Sequence, residues 1–197
     1  EDPITRHSKE KIPENYSQFL RKDGLEGARI GVLRILSEAD PDPEVHALFE
    51  KAVEDLATLG ATVVDPVVIP DFSALAKNQW CATFRKDLET FLATYVKTDS
   101  LRTLEDNIKV GSKSEFARER LQRNADNEGR WEDPEIPCGD AFTDPLRIAF
   151  REGIEKVMDS LGLDALVYPT WNDKPAKIDR FAEEYKGDNS QLISPHT

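Results

Sequence analysis

The chain has 197 residues, of which 39% are apolar, and a formal net charge of -12 at pH 7. This length and apolar content are sufficient for one well-cored domain or a large piece of a bigger one. The excess of acidic residues argues against nucleic acid and anionic membranes as partners. No run approaches the roughly 20 apolar residues that span a bilayer, so no membrane-spanning segment is expected.

The first secondary-structure signals lie between the N-terminus and residue 36. Residues 1–27 are charged and contain prolines, a composition typical of a surface arm, with one short helix predicted around residues 16–20. The apolar, β-branched run of residues 28–36 predicts a strand that is buried on at least one face.

A helix and a second strand follow. The prolines at 41 and 43 predict a helix start, because proline in the first turn loses no needed hydrogen bond, and Gly60 is placed to cap the helix end. Residues 61–70 predict the next strand, which gives a βαβ unit with parallel strands. Five apolar residues are expected on the inner helix face: Val45, Phe49, Ala52, Val53 and Leu56.

The middle of the chain is predicted to be helical. Residues 72–96 carry apolar side chains at helical spacing, which indicates a stripe that faces the core. Shorter helices are expected at residues 101–109 and 114–124, the second of them facing solvent, and residues 127–142 predict a loop. The proposed stripe consists of Trp80, Phe84, Leu88, Phe91 and Tyr95.

A final helix and strand complete the predicted fold. Residues 143–145 indicate a helix start, Gly162 its end, and residues 163–168 form a continuous apolar strand. The three predicted strands are expected to share one sheet covered by helices, so the fold class is α/β. The inner face of this helix is predicted to carry Leu146, Phe150, Ile154, Val157 and Leu161.

The loop after the last strand is the candidate binding site. In open α/β sheets ligands bind beyond the carboxyl ends of the strands, which directs attention to residues 169–175. Trp171, Asn172 and Asp173 could present an aromatic wall, an amide and a carboxylate to a substrate. The alternative is a proline-bounded surface loop whose tryptophan packs against its own domain.

No catalytic residue is predicted. A serine nucleophile needs a base within reach and donors for the oxyanion, usually backbone amides of a glycine-rich turn, and no such turn occurs in the sequence. Residues 112–114 place two serines beside a lysine, but neighbours in sequence do not face one another on a helix.

Neither a metal site nor another cofactor is expected. Cys81 and Cys138 are too few and too far apart for a metal site or a disulfide framework, although a single bridge between them stays open. The three histidines, His7, His46 and His196, lie in unrelated segments without partners at ligand spacing.

Several stretches, in order along nearly the whole chain, together resemble the amidase signature family of amide hydrolases. No single stretch is specific, and the ordered set is the stronger signal. They are residues 2–5, 29–33, 42–45, 59–63, 67–70, 164–170, Asn189 and 194–197.

This resemblance implies a layered α/β/α enzyme with a mixed, largely parallel sheet, which hydrolyses a small-molecule amide through a serine acyl-enzyme. The family's two catalytic serines and lysine base lie in a glycine-serine-rich region that precedes the start of this chain, so none of them is carried over. The chain therefore resembles an internal fragment, with an arm at residues 1–27 and an α/β segment of a single amidase domain at residues 28–197.

The leading functional hypothesis is a non-catalytic portion of an amidase that supplies scaffold and part of the substrate pocket and is inactive alone. Exposed sheet edges would allow homo-oligomers. One alternative is a self-contained module that binds a small molecule through residues 169–175 or mediates interactions, without catalysis. A naturally truncated homologue that serves in assembly is a third possibility.

Overall fold

The computed structural model describes residues 8–38, 40–77, 79, 83–126, 139 and 141–175. These ranges divide into two compact units. The first takes in residues 8–69 and 154–175, and the second takes in residues 70–153.

The first unit contains a parallel sheet of three strands, β1 (Arg29–Val32), β2 (Thr62–Val64) and β3 (Ala165–Val167), in the order β2-β1-β3. Ile30 of β1 is the partner of Val63 on one side and of Ala165 on the other. The helix α1 (Pro43–Thr58) connects β1 to β2. The predicted βαβ unit, the common sheet and the α/β fold class are confirmed.

Glycine at the centre of β1 permits close packing. A Cβ atom on Gly31 would lie 2.7 to 2.8 Å from side-chain carbons of Leu163, Val67 and Leu166. The next position along the strand, Val32, is fully buried. Because the space beside Gly31 is already filled from both neighbouring segments, the core of this unit lies directly against β1.

The strands are shorter than predicted. β1 ends at Val32 and the chain turns into a 3-10 helix at Arg34–Leu36, so the prediction of a strand to residue 36 is wrong. β2 ends at Val64 because Pro66 has no amide hydrogen to donate to a sheet. Beyond Pro66, the Val67 amide donates a hydrogen bond of 2.8 Å to the carbonyl of Val32, the last residue of β1.

Helix α1 begins and ends as predicted. The Asp42 side chain accepts hydrogen bonds from the amides of Glu44 and Val45, and Gly60 adopts a positive φ of 97° after the helix. The predicted inner face is only partly correct, because Ala52 is exposed. Its four other members are half-buried: Val45, Phe49, Val53 and Leu56.

In the second unit, the described residues within the predicted helix of residues 72–96 form two helices, α2 (Phe72–Leu75) and α3 (Phe84–Tyr95). The predicted stripe is wrong for most of its described members. Leu92 is buried and Leu88 is half-buried, while the aromatic side chains lie on an exposed face: Phe84, Phe91 and Tyr95. The buried side of α3 is therefore turned around the helix axis from the predicted stripe toward Leu92.

The helices α4 (Leu104–Val110) and α5 (Glu115–Ala125) are confirmed. Reciprocal hydrogen bonds between Thr103 and Asp106 form a capping box at the start of α4. Ser114 caps α5 by accepting a hydrogen bond from the amide of Ala117 at 3.3 Å, which is a structural role for this serine.

The helix α6 (Pro145–Leu161) contributes residues to both units. Its predicted inner face is confirmed at Phe150 and Ile154, which are buried, whereas Leu161 at its end is exposed. In the second unit the ring of Phe150 meets that of Phe72 edge-on, with 5.5 Å between the ring centroids.

Candidate substrate-binding site

The carboxyl ends of the three strands bring separate segments together at one edge of the sheet in the first unit. Arg34 follows β1, Asp65 follows β2, and residues 168–175 follow β3. The Leu33 amide donates to the Val167 carbonyl at 3.0 Å, so the segments after β1 and β3 stay joined where the strands end. This is the edge at which α/β proteins bind ligands.

The three residues predicted to contact substrate differ in accessibility. Trp171 is 48% exposed, and Asp173 is partly buried. Asn172, which lies between them, is only 2% exposed. The loop therefore turns its central residue inward and leaves the indole and the carboxylate accessible on either side of it.

Two contacts fasten this loop to the start of α1. The Asp42 amide donates a hydrogen bond to the main-chain carbonyl of Asn172 at 2.9 Å. Lys174 forms an ion pair with Glu44 in the first turn of α1, and its Nζ lies 3.6 Å from Oδ2 of Asp42. The same carboxylate of Asp42 also caps the helix, so helix start and loop share one residue.

The most extensive polar cluster at this edge was missed by the sequence reasoning. The Arg34 guanidinium donates from Nε to Asp65 at 2.8 Å and from a terminal nitrogen to Glu50 of α1 at 3.0 Å. Its carbon centre lies 5.6 Å from the centroid of the Phe49 ring. Arg34 and Asp65 fell inside the predicted strands of residues 28–36 and 61–70, and the charged residue that interrupts each apolar run was the signal that could have found this cluster.

Electrostatics at the cluster favour the charged forms. Hydrogen bonds to Asp65 and then to Glu50 raise the pKa of Arg34, and the same guanidinium lowers the pKa of each carboxyl. The Arg34 side chain is 17% exposed, against 39% for Glu50 and 27% for Asp65. With one cation satisfied by two carboxylates, the cluster is suited to holding β1, α1 and β2 in place rather than to proton transfer.

The start of α1 also stabilises negative charge. Burial acts to raise the pKa of Asp42, but hydrogen bonds from the amides of Val45 and Glu44 and the charge of Lys174 outweigh it, so this pKa is lowered. The pKa of Lys174 is raised, chiefly by its hydrogen bond to Glu44. Asp42 and Lys174 are therefore both charged near neutral pH.

His46 also lies on α1, but its contacts do not suit it to a catalytic role. Its Nε2 lies 3.9 Å from Oε1 of Glu50, and its Nδ1 is buried without a hydrogen-bond partner among the described residues. Within the described ranges, no group of three or more His, Cys, Asp or Glu residues is arranged to hold a metal ion.

A cavity of about 330 Å³ lies in the second unit, between α4 and α5. Its walls combine apolar side chains with an arginine whose Nη1 already donates to the Ser112 carbonyl at 2.7 Å. No pattern in the sequence predicted this cavity. It is lined by Ile108, Gly111, Arg118, Glu119, Leu121 and Gln122.

Some sequence predictions lie outside the described residues. They concern Cys81 and Cys138, the side chain of Trp80, two of the histidines, and the family-like residues near 189–197. Among the helices that are described, none combines the length and the apolar character required to cross a membrane.

Comparisons with known proteins identify the family. The Amidase family model matches residues 1–195. A probable amidase of Arabidopsis thaliana is 26% identical over 184 residues, which cover 84% of this chain and 32% of that protein.

Two solved structures are similar to this one. An amidase family protein from Bacillus anthracis str. Ames has a TM-score of 0.60 at 19% identity, covering 84% of this chain and 32% of that chain. The protein PAM12A has a TM-score of 0.51 at 25% identity, covering 86% and 37%. This chain thus spans about a third of the length of the relatives it matches, and, because the family model matches nearly the whole sequence, it belongs to the Amidase family.

Proposed function

We propose that this chain is part of an amidase that hydrolyses a small-molecule carboxamide, and that it supplies scaffold and part of the substrate pocket without the catalytic residues. The observation that carries the proposal is the family match over residues 1–195, combined with coverage of about a third of the matched relatives. The absence of a glycine-serine-rich turn from the sequence supports a nucleophile outside this chain.

In this proposal the loop of residues 169–175 forms one wall of the pocket. Its position after β3, at the carboxyl edge of a parallel sheet, supports this role. Trp171 offers an apolar surface, Asp173 offers an acceptor for a substrate N-H, and Asn172, buried between them, offers an amide.

We further propose that residues 28–197 belong to one amidase domain preceded by an arm, and that the outer strands β2 and β3 pair with additional strands. In the described sheet each has one hydrogen-bonded neighbour, β1. Exposed strand edges recruit partners. The partner strands would come from the rest of the enzyme or, for the isolated chain, from a second copy.

An activity screen tests the proposed function. The full product of the reading frame that encodes this chain would be assayed against aliphatic, aromatic and peptide amides, beside the 197-residue chain alone. We expect turnover by the full product, none by the chain alone, and loss of turnover when the nucleophilic serine is replaced by alanine. Turnover that survives this replacement would contradict the serine mechanism, and turnover by the isolated chain would contradict the division of roles.

A further inference from the structure

We infer that Lys174 is a positioning residue for the substrate pocket: its ion pair with the first turn of α1 holds the loop of residues 169–175 in place and thereby sets substrate affinity. This inference rests on the proposed function, because it assumes that the loop contacts substrate. It adds a residue that acts by positioning the loop, and a mechanism by which charge on α1 controls the site.

The geometry supports an anchor made of two neighbouring points. The Asn172 carbonyl accepts from the Asp42 amide at 2.9 Å, and two residues later Lys174 reaches Glu44 and Asp42. Asn172 is buried, whereas the side chain of Lys174 remains 54% exposed. The main-chain bond therefore fixes one point of the loop, and the ion pair controls the freedom of the segment that carries Asp173.

The charges around Lys174 determine which substitutions should weaken this anchor. Glu44 lies in the first turn of α1, where the helix dipole stabilises an acidic group, and Asp42 is held by the amides that it caps. Two negative groups at the start of α1 thus face one cation on the loop. A negative side chain at position 174 would be repelled by both, which would release the loop without removing any core contact.

Charge reversal with reconstitution tests the inference. The variants Lys174→Glu and Glu44→Lys would be compared with the double variant Lys174→Glu/Glu44→Lys, which restores opposite charges. The matched control is Lys51→Glu, which reverses the charge of an exposed lysine on the same helix, 3.0 Å from Asp55. All four are surface changes, so thermal unfolding should confirm that each variant is folded.

The first measurement is amide hydrogen exchange of residues 170–174, in the 197-residue chain and in the full product. An exposed ion pair supports about a fivefold change at most, so each single reversal should speed exchange by two- to fivefold, and the double variant should return it toward the starting rate. Exchange in the single variants that equals that of Lys51→Glu would overturn the inference, since the loop would then be held without Lys174.

The second measurement is steady-state hydrolysis by the full product. We expect KM to rise by about two- to fivefold for Lys174→Glu with kcat little changed, and to recover in the double variant, a pattern that general destabilisation would not give. An unchanged KM with faster exchange would overturn the positioning role alone. Absence of hydrolysis by the unaltered full product would refute the proposed function, and the exchange measurement would still decide whether the ion pair holds the loop.

Discussion

Replacing Arg34 by methionine should destabilise the first unit more than any other single change of a charged side chain described above. Methionine keeps the apolar stem beside Phe49 but leaves Glu50 and Asp65 facing each other without a cation. Removing one partner of a fully buried ion pair costs about 3 to 5 kcal/mol, and an exposed pair is worth less than about 1 kcal/mol. With Arg34 17% exposed and the two carboxylates more accessible, we expect about 2 kcal/mol.

Chemical and thermal unfolding followed by circular dichroism measure this loss. For a chain of this size about 2 kcal/mol corresponds to a fall in Tm of roughly 4 to 8 °C. The control is Lys51→Met, which removes an exposed ion pair from the same helix and should cost less than about 0.5 kcal/mol. Equal effects of the two substitutions would refute the reasoning. The triple change Arg34→Met/Glu50→Gln/Asp65→Asn should recover part of the loss, because it removes the uncompensated charges.

Three further predictions concern packing, pH and capping. Gly31→Ala should destabilise the chain by about 2 to 3 kcal/mol because a Cβ there has no space, whereas Gly153→Ala, which meets only the end of a leucine side chain at 3.0 Å, should be neutral or stabilising in a denaturant titration. Because the folded-state pKa values of Glu50 and Asp65 are lowered, their contribution is present above about pH 5 and is lost as pH falls through those values. Unfolding free energy measured between pH 7 and 3 should therefore fall less in the Arg34→Met variant. Thr103→Ala should cost about 1 kcal/mol by breaking the capping box, with Thr94→Ala in α3 as the control that leaves the caps intact, and equal losses would contradict this role.

The parts of the fold that local patterns govern were predictable. Alternation of strand and helix signals led to the parallel sheet, and proline at the start and glycine at the end placed α1 within a few residues. The ends of the strands were harder to predict, because they depend on which backbone amides find hydrogen-bond partners. The end of β2 before Pro66 has a cause that can be read from the sequence, since proline has no amide hydrogen to donate. The turn after Val32 instead depends on contacts with β3.

The inward face of α3 shows why periodicity has limits. Phe84, Leu88, Phe91 and Tyr95 recur at helical spacing, and tertiary contacts decide that only the part of this stripe beside Leu92 is buried. The candidate site was located from the end of β3 by a general rule for α/β sheets. The internal arrangement of the site could not be predicted, because Asn172 is buried and its carbonyl accepts from the Asp42 amide, a contact between segments that lie far apart in the sequence.

The central claim is that residues 169–175 form a wall of an amidase pocket, and one kinetic comparison tests it most directly. The full product would be assayed as the unaltered protein and as Trp171→Ala, with Tyr95→Ala as the control because it removes an exposed aromatic side chain from the other unit. Loss of an aromatic surface in contact with substrate should lower kcat/KM by about tenfold or more, while the control should stay within about twofold. A Trp171→Ala enzyme as active as the control would contradict the claim.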